Sequence, residues 1–328
     1  MNHFKILAVV LKLAASVALL WFALSGFDMA ALVARAGSIL PLWLAIAFTI
    51  CLLQSALIAE RWRVICRFCG IELTWRRAFQ LVMIGNFFNQ VLPSSLGGDA
   101  IRLWLVGRQS GWRETTYSIL IDRGFGLLAI CGIIVATWPL SFGHINDSAL
   151  RVSLIAAGGG GLFAGFCFVA SGFAAWPLLD GLPLLRKLHD CAKIAARVVR
   201  SSGSGSLVVS VSLLIHVIAI ATTYALAQAI GARVTLMDLF MLLPPVMLIA
   251  AFPISIAGWG IREFSMVAAF GFFGLAQTDG LVISLLTGLV QLATGVMGGV
   301  MWVAFKMSPK RTLEAKAGPL AGPSETAS

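Results

Sequence analysis

Predominantly apolar runs near 20 residues recur along this chain, at Ile6–Leu24, Leu40–Ala59, Tyr117–Leu140, Val152–Ala175, Leu207–Ile230 and Leu281–Phe305. Each, as a helix, is long enough to cross a hydrocarbon core of about 30 Å. Six full spans are therefore expected. Two further apolar regions, Ala78–Trp104 and Leu239–Phe273, are broken near their centres by Pro, Ser and Gly. They read as short helices joined by a turn. The first run follows a short basic start but is longer than a signal-peptide core, and is read as a retained helix.

Composition sharpens this picture. Of 328 residues, 59% are apolar and 12% charged. A water-exposed globular surface needs about twice that share of charge, so a soluble domain is excluded and an all-α polytopic membrane protein is expected. The net charge of +10 would raise the question of nucleic acid in a soluble protein, but the basic residues sit between apolar segments. They report topology instead. Lys5 and Lys12, the segment Arg61–Arg77, Arg108 and Arg113, the segment Arg186–Arg200 and the tail from Lys306 hold 18 Lys and Arg. The opposite connections hold Arg35, Arg151 and Arg233. Both termini are thus expected in the cytoplasm of an inner (plasma) membrane protein, and the six cysteines are expected unpaired.

That orientation forces the interrupted regions to be re-entrant. The first must enter and return on the cytoplasmic side, the second on the opposite side. A repeat supports this independently. Pro93-Ser94-Ser95-Leu96-Gly97-Gly98-Asp99-Ala100-Ile101-Arg102 aligns with Pro253-Ile254-Ser255-Ile256-Ala257-Gly258-Trp259-Gly260-Ile261-Arg262 as P-x-S-x-x-G-x-x-I-R, at an offset of 160. Each half reads as two spanning helices, a re-entrant hairpin and a third span. An odd number of crossings inverts one half relative to the other. One transmembrane domain over residues 1–306 is expected, with repeats at about 1–145 and 150–306 and a disordered cytoplasmic tail at 307–328.

Irregular backbone in a bilayer is tolerated where protein buries it or where it lines a wet cavity. The first hairpin limb, Ala78–Leu92, spans roughly 22 Å as a helix, which carries Arg102, and by the repeat Arg262, to depth. A charge there costs about 2.5 to 3.5 kcal/mol, so an idle arginine is an improbable occupant. Guanidinium forks suit phosphate, and Gly97, Gly98, Gly258 and Gly260 allow backbone N–H groups to approach a ligand. Asp99 shares a helical face with Arg102, while Glu263 adjoins Arg262 but points about 100° away. The repeat breaks here: Asp99 faces Trp259, and Leu103 faces Glu263. Asn86 and Asn89, at i and i+3, form a polar stripe toward a cavity or a neighbouring helix. Asp122 and Arg123 fit a head-group contact, proton coupling or an internal ion pair. His216 and the Cys66-x-x-Cys69 pair read first as packing residues, and Gly161-x-x-x-Gly165 as a helix contact. The stretch Arg186–Arg200 reads as a basic amphipathic helix on an anionic leaflet. No phosphate-loop, H-E-x-x-H or G-x-S-x-G motif occurs, and no cofactor or metal is expected.

Arg61-Trp62-Arg63, the block Gly85 to Arg102 with its N-x-x-L-P-S-x-x-G-G-D-x-x-R pattern, Asp122-Arg123-Gly124 and Phe252-Pro253 through Glu263 resemble the transmembrane domain of lysylphosphatidylglycerol synthases. The resemblance implies a flippase-like domain, which in those synthases moves an aminoacylated phospholipid between leaflets beside a soluble aminoacyl-transferase domain. This sequence has no counterpart of that soluble domain. A stand-alone translocase is therefore expected, with a membrane lipid as cargo, no nucleic-acid partner and a separate lipid-modifying enzyme as a possible source. Related stand-alone proteins are tied to other lipids, including hopanoids and lipid-linked sugars. The alternatives are a polytopic transferase using Asp99 or Asp122 as base on a lipid-linked substrate, and a proton-coupled anion carrier.

Overall fold

The structure, a computed structural model, describes residues 39–92, 96–143, 147–174, 182–251 and 258–305 with a few isolated positions. These residues form ten α-helices: α1 (Pro41–Phe68), α2 (Trp75–Val91), α3 (Gly97–Ser110), α4 (Trp112–Thr137), α5 (Ser148–Ser171), α6 (Pro183–Arg200), α7 (Ser202–Ala229), α8 (Leu236–Ala250), α9 (Ile261–Phe272) and α10 (Gln277–Ala304). Five of them, α1, α4, α5, α7 and α10, have the length and apolarity to cross a bilayer. The chain is thus an all-α, multi-pass membrane protein. The expected span Ile6–Leu24, the tail 307–328 and the Pro-Ser turns at 93–95 and 252–257 lie outside the described residues.

The interrupted regions form helix pairs, α2 with α3 and α8 with α9. Their helices have 17, 14, 15 and 12 residues. At 1.5 Å per residue each extends roughly 18 to 26 Å, short of a full hydrocarbon crossing.

Both long basic segments are largely helical, Arg186–Arg200 as expected. α1 continues to Phe68 because Arg61, Trp62, Val64, Ile65 and Cys66 keep a buried face, while Arg63 pairs with Glu60 one turn earlier at 2.5 Å. Arg61, Arg63 and Arg67 thus belong to α1, and Arg76 and Arg77 open α2. Likewise Arg186–Arg200 lies within α6, which buries His189, Cys191, Ala192, Ala195, Ala196 and Val198 on one side.

Local chemistry repeats between the halves. α1 and α7 both have 28 residues. Each ends at a left-handed glycine, Gly70 (φ 78°) or Gly231 (φ 65°). In each, the amide of the following residue, Ile71 or Ala232, returns to a carbonyl five residues back, Cys66 or Ala227, at 2.9 Å. The next helix is then capped by a threonine: Thr74 accepts from the Arg77 amide and Thr235 from the Asp238 amide. Packing repeats too. α10 lies on α2 and on α1, as α4 lies on α8 and on α7.

α1 and α7 pack against each other and run antiparallel. The Leu40 amide donates to the Ala229 carbonyl at 2.9 Å, and Gln54 Nε2 donates to the Ile215 carbonyl at 3.1 Å. Gln54 and Ile215 are each the fourteenth residue of their helix. The two long helices therefore meet at their midpoints in matching register.

Apolar packing divides into two lobes on either side of that contact. One gathers α8, α9 and α10 around the N-terminal half of α1 (Ala47, Cys51) and the C-terminal half of α7 (Ile220–Ile230). The other gathers α2, α3, α4 and α6 around the C-terminal half of α1 (Ala59–Cys66) and Val208 of α7. α10 reaches α2 where Gly298 meets the Met83 carbonyl; a Cβ at 298 would stand 1.9 Å from that oxygen. Only glycine permits this approach.

A buried ion pair fastens the second lobe. Arg61 Nε donates to Asp122 Oδ1 at 2.8 Å and Arg61 Nη1 to Ser212 Oγ at 3.1 Å, so α1, α4 and α7 share one charge network. Asp122 thereby takes the helix-anchoring role among its sequence readings. His216, also on α7, donates its Nε2–H to the Gly126 carbonyl of α4 at 2.9 Å. Trp62 donates to Ser118 Oγ at 3.3 Å.

Burial suppresses two thiols within this lobe. It pushes Cys69 up to about 12, with the neighbouring Cys191 adding to the effect, and Cys191 up to about 11. Since the thiolate is the reactive form, Cys66-x-x-Cys69 lacks the lowered thiol of a redox motif.

Asp122→Ala, which leaves the Arg61 charge buried and unpaired, is expected to lower stability by about 3 to 5 kcal/mol. Arg61→Leu/Asp122→Leu should recover most of that loss, as read by chemical unfolding in detergent micelles. At pH 8, Cys69 and Cys191 should alkylate more than about tenfold more slowly in the folded than in the denatured protein, because the fold withholds the thiolate. Peptide mapping after timed iodoacetamide treatment reads the ratio.

Candidate polar cavity at the crossing of the long helices

Two adjoining compartments open where the lobes meet. The first, about 340 Å³, is lined mainly by polar groups: Gln54 and Ser55 from α1, Asn86, Asn89 and Gln90 from α2, and Gln291 and Thr294 from α10, with Gly258 and Arg262. The second, about 290 Å³, is mostly apolar, with Leu243, Val246 and Met247 of α8 and Val290 of α10 beside Thr222 and Thr223 of α7. Cys51, Gln54, Ala250, Arg262 and Gln291 line both. A polar chamber thus shares a wall with an apolar one.

Arg262 stands in the shared wall, at the second residue of α9. Its Nη2 and Nε reach Glu263 Oε1 at 2.7 and 3.1 Å, Nε also reaches Ser284 Oγ at 3.1 Å, and Nη1 donates to Gln291 Oε1 at 3.0 Å. The Trp259 ring lies 5.0 Å from the guanidinium. Glu263 is wholly buried. Its Oε2 accepts the Gly260 amide at 2.6 Å, and its Oε1 also accepts Ser284 Oγ–H at 3.0 Å. Gly288 of α10 supplies the room, since a Cβ there would stand 2.5 Å from Arg262 Nη2 and 2.6 Å from the Trp259 ring. The expectation that Glu263 points away from Arg262 is corrected: flexible side chains on adjacent residues bridge the angular separation of their Cβ atoms.

Arg102 lines neither compartment. It pairs with Asp99 on its own helix, and Asp99 also binds Arg123 of α4. Its guanidinium packs 4.9 Å from the Trp62 ring, and Nη1 is buried without a partner among the described residues. Asp99 and Arg102 therefore share a face as the spacing implies, and Arg123 joins α4 to them. Each half holds one arginine between a carboxylate and an indole. The carboxylate and indole come from different positions in the two halves, Asp99 and Trp62 in one and Glu263 and Trp259 in the other, where the repeat breaks.

The stripe residues divide their work. Asn86 donates to Ser55 Oγ at 3.1 Å, tying α2 to α1 at the cavity wall. Asn89 accepts the Gly98 amide at 2.6 Å and so caps the start of α3. Gly97 and Gly98 do not front open space. A Cβ at 97 would meet the Phe88 carbonyl at 2.5 Å and one at 98 the Gly85 carbonyl at 2.4 Å, so these glycines close α3 onto α2. Gly258 (φ 80°) lines the polar compartment, whereas Gly260 holds Glu263.

Sequence reasoning missed Gln54, Ser55, Ser284 and Gln291. A signal was present: Ser284, Thr287, Gln291 and Thr294 recur every three or four residues along an otherwise apolar span, one polar stripe on α10. Arg61 was missed because a basic cluster after an apolar run was read for topology alone.

Comparison with known proteins agrees with this architecture. The family model described as the lysylphosphatidylglycerol synthase TM region matches residues 9–299. A curated relative, the UPF0104 membrane protein MJ1595 of Methanocaldococcus jannaschii, is 30% identical over 69 residues, which is 21% of this chain and spans only about a fifth (20%) of that protein. No solved structure matches the chain. The helical spans, the paired short helices and a family match covering most of the sequence place this chain in the family of the lysylphosphatidylglycerol synthase transmembrane region.

Proposed function

We propose that this protein is a lipid translocase of flippase type, in which the polar head group of a membrane lipid occupies the polar compartment and its chain begins in the apolar one. The observation that carries the reading is Arg262, a guanidinium held by Glu263, Ser284 and Trp259 in the wall common to both chambers. Moving a head group through hydrocarbon is slow because its polar groups must shed water. Arg262, Asn86, Gln54, Gln90 and Gln291 offer replacement partners at a depth where the chains can remain in lipid.

The same reading takes the two short-helix pairs as re-entrant hairpins entering from opposite faces, and the two halves as an inverted repeat. The antiparallel α1–α7 contact supports it. Both termini lie in the cytoplasm, on the side of the basic clusters, in an inner or plasma membrane. Asn86, Asn89, Gly258 and Arg262 face the cargo, while Glu263 and Gly260 position Arg262. Asp99, Arg102, Asp122, Arg123, Gly97 and Gly98 hold the first half together around it. The carboxylates that a transferase would need as base favour translocation instead, because Asp99 is engaged by two arginines and Asp122 by Arg61.

Arg262→Ala in proteoliposomes is expected to slow transfer of a fluorescent phospholipid between leaflets at least tenfold, read by dithionite quenching, with the lipid chemically unchanged. A new lipid product, or wild-type transfer by this variant, would refute the reading. Gly288→Val, which displaces the guanidinium without removing it, should lower transfer to a similar degree while the protein remains monodisperse in detergent.

A further inference from the structure

A second charged recess lies away from the central cavity. It is a groove of about 1230 Å³ where the C-terminal end of α1, the N-terminal end of α4 and the surface helix α6 come together. Five cations line it, Arg67, Arg113, Arg186, Lys193 and Arg197, against two carboxylates, Glu114 and Asp190. Asp190 is already engaged by Arg113 at 2.5 Å, with Lys193 at 3.8 Å. No ion pair offsets Arg67, Arg186 or Arg197 among the described residues. His189 also lines the groove, with its ring buried and neither nitrogen hydrogen-bonded among the described residues. A donor withdrawn from water without a partner is costly, and here it stands in a recess with an excess of positive charge.

The surroundings are apolar. Leu184 of α6 is 70% exposed and Phe173, at the groove, 58%. Leu182, Leu185 and Leu188 are exposed beside Arg186. A lipid carries its phosphate on an apolar body that can pack against these side chains, whereas a soluble anion makes no use of them. A helix with leucines and cations on its outer surface lies at a membrane interface, where each basic residue near an anionic leaflet adds binding.

We infer that this groove binds the phosphate of an anionic phospholipid, with Arg186, Lys193 and Arg197 as its charge partners and His189 as a donor at its floor. The inference stands apart from the translocase reading, since it uses none of the residues of the central cavity.

The test uses the full chain in nanodiscs containing a phosphatidylglycerol analogue with a photoreactive group near the phosphate, and cross-linked sites are mapped by mass spectrometry. Adducts are expected on peptides covering residues 182–200. Arg186→Gln/Lys193→Gln, which alters two exposed side chains, should weaken affinity roughly 25-fold, about fivefold per cation removed, and so labelling in half-saturating lipid by about 13-fold. His189→Leu should weaken it several-fold, and His189→Gln, which restores a donor, should recover it. Labelling unchanged in the double variant overturns the site, as does labelling unchanged in His189→Leu for the floor donor. Suppression of labelling by inorganic phosphate at a concentration equal to the lipid's would overturn the lipid assignment in favour of a soluble phosphate.

Discussion

A guanidinium withdrawn from water is costly unless its donors are engaged, and the architecture around the largely buried Arg102 and Arg262 answers that demand. For Arg262 the protein provides a carboxylate, a hydroxyl, an amide oxygen and an indole ring from α9, α10 and the turn before α9. For Arg102 it provides Asp99 and Trp62. These partners come from separate elements, so supplying them fixes how the short helices seat against the long ones. Gly288 belongs to the same solution, because the guanidinium occupies volume that any side chain on that face of α10 would take.

Much of this was legible in the residues. Apolar run length gave five described spans to within about five residues at each end apart from the C-terminus of α1, and broken runs gave the paired short helices, because clustered Pro, Ser and Gly disfavour continuing a helix. The spacing of Asp99 and Arg102 announced their pairing. Helix ends were less legible. α1 outlasts its apolar run because a buried Arg61 is matched by Asp122, 61 residues later, and charge alone cannot reveal that partner. Gly97 and Gly98 show the same difficulty: a glycine that admits a ligand and one that admits a neighbouring backbone have one sequence signature, and only the position of α2 decides between them.

The short-range repeat is better preserved in backbone devices than in side chains. Gly70 and Gly231, Thr74 and Thr235, and the amide returns from Ile71 and Ala232 match although the residues around them differ. Stopping a helix and starting the next one admits few solutions, whereas a carboxylate for an arginine can be supplied from several places. The halves accordingly keep their joints and vary their linings: Arg262 stands in a cavity wall, while Arg102 lines neither compartment.

The midpoint contact of α1 with α7 gives the molecule a fulcrum. Gln54 and Ile215 occupy the same rung of two equal beams laid head to tail, so a tilt about that point carries the four beam ends through equal arcs. Under the translocase proposal, rocking about that point would open one rim as it closed the opposite one, and Gln54, which borders the polar chamber, would travel least.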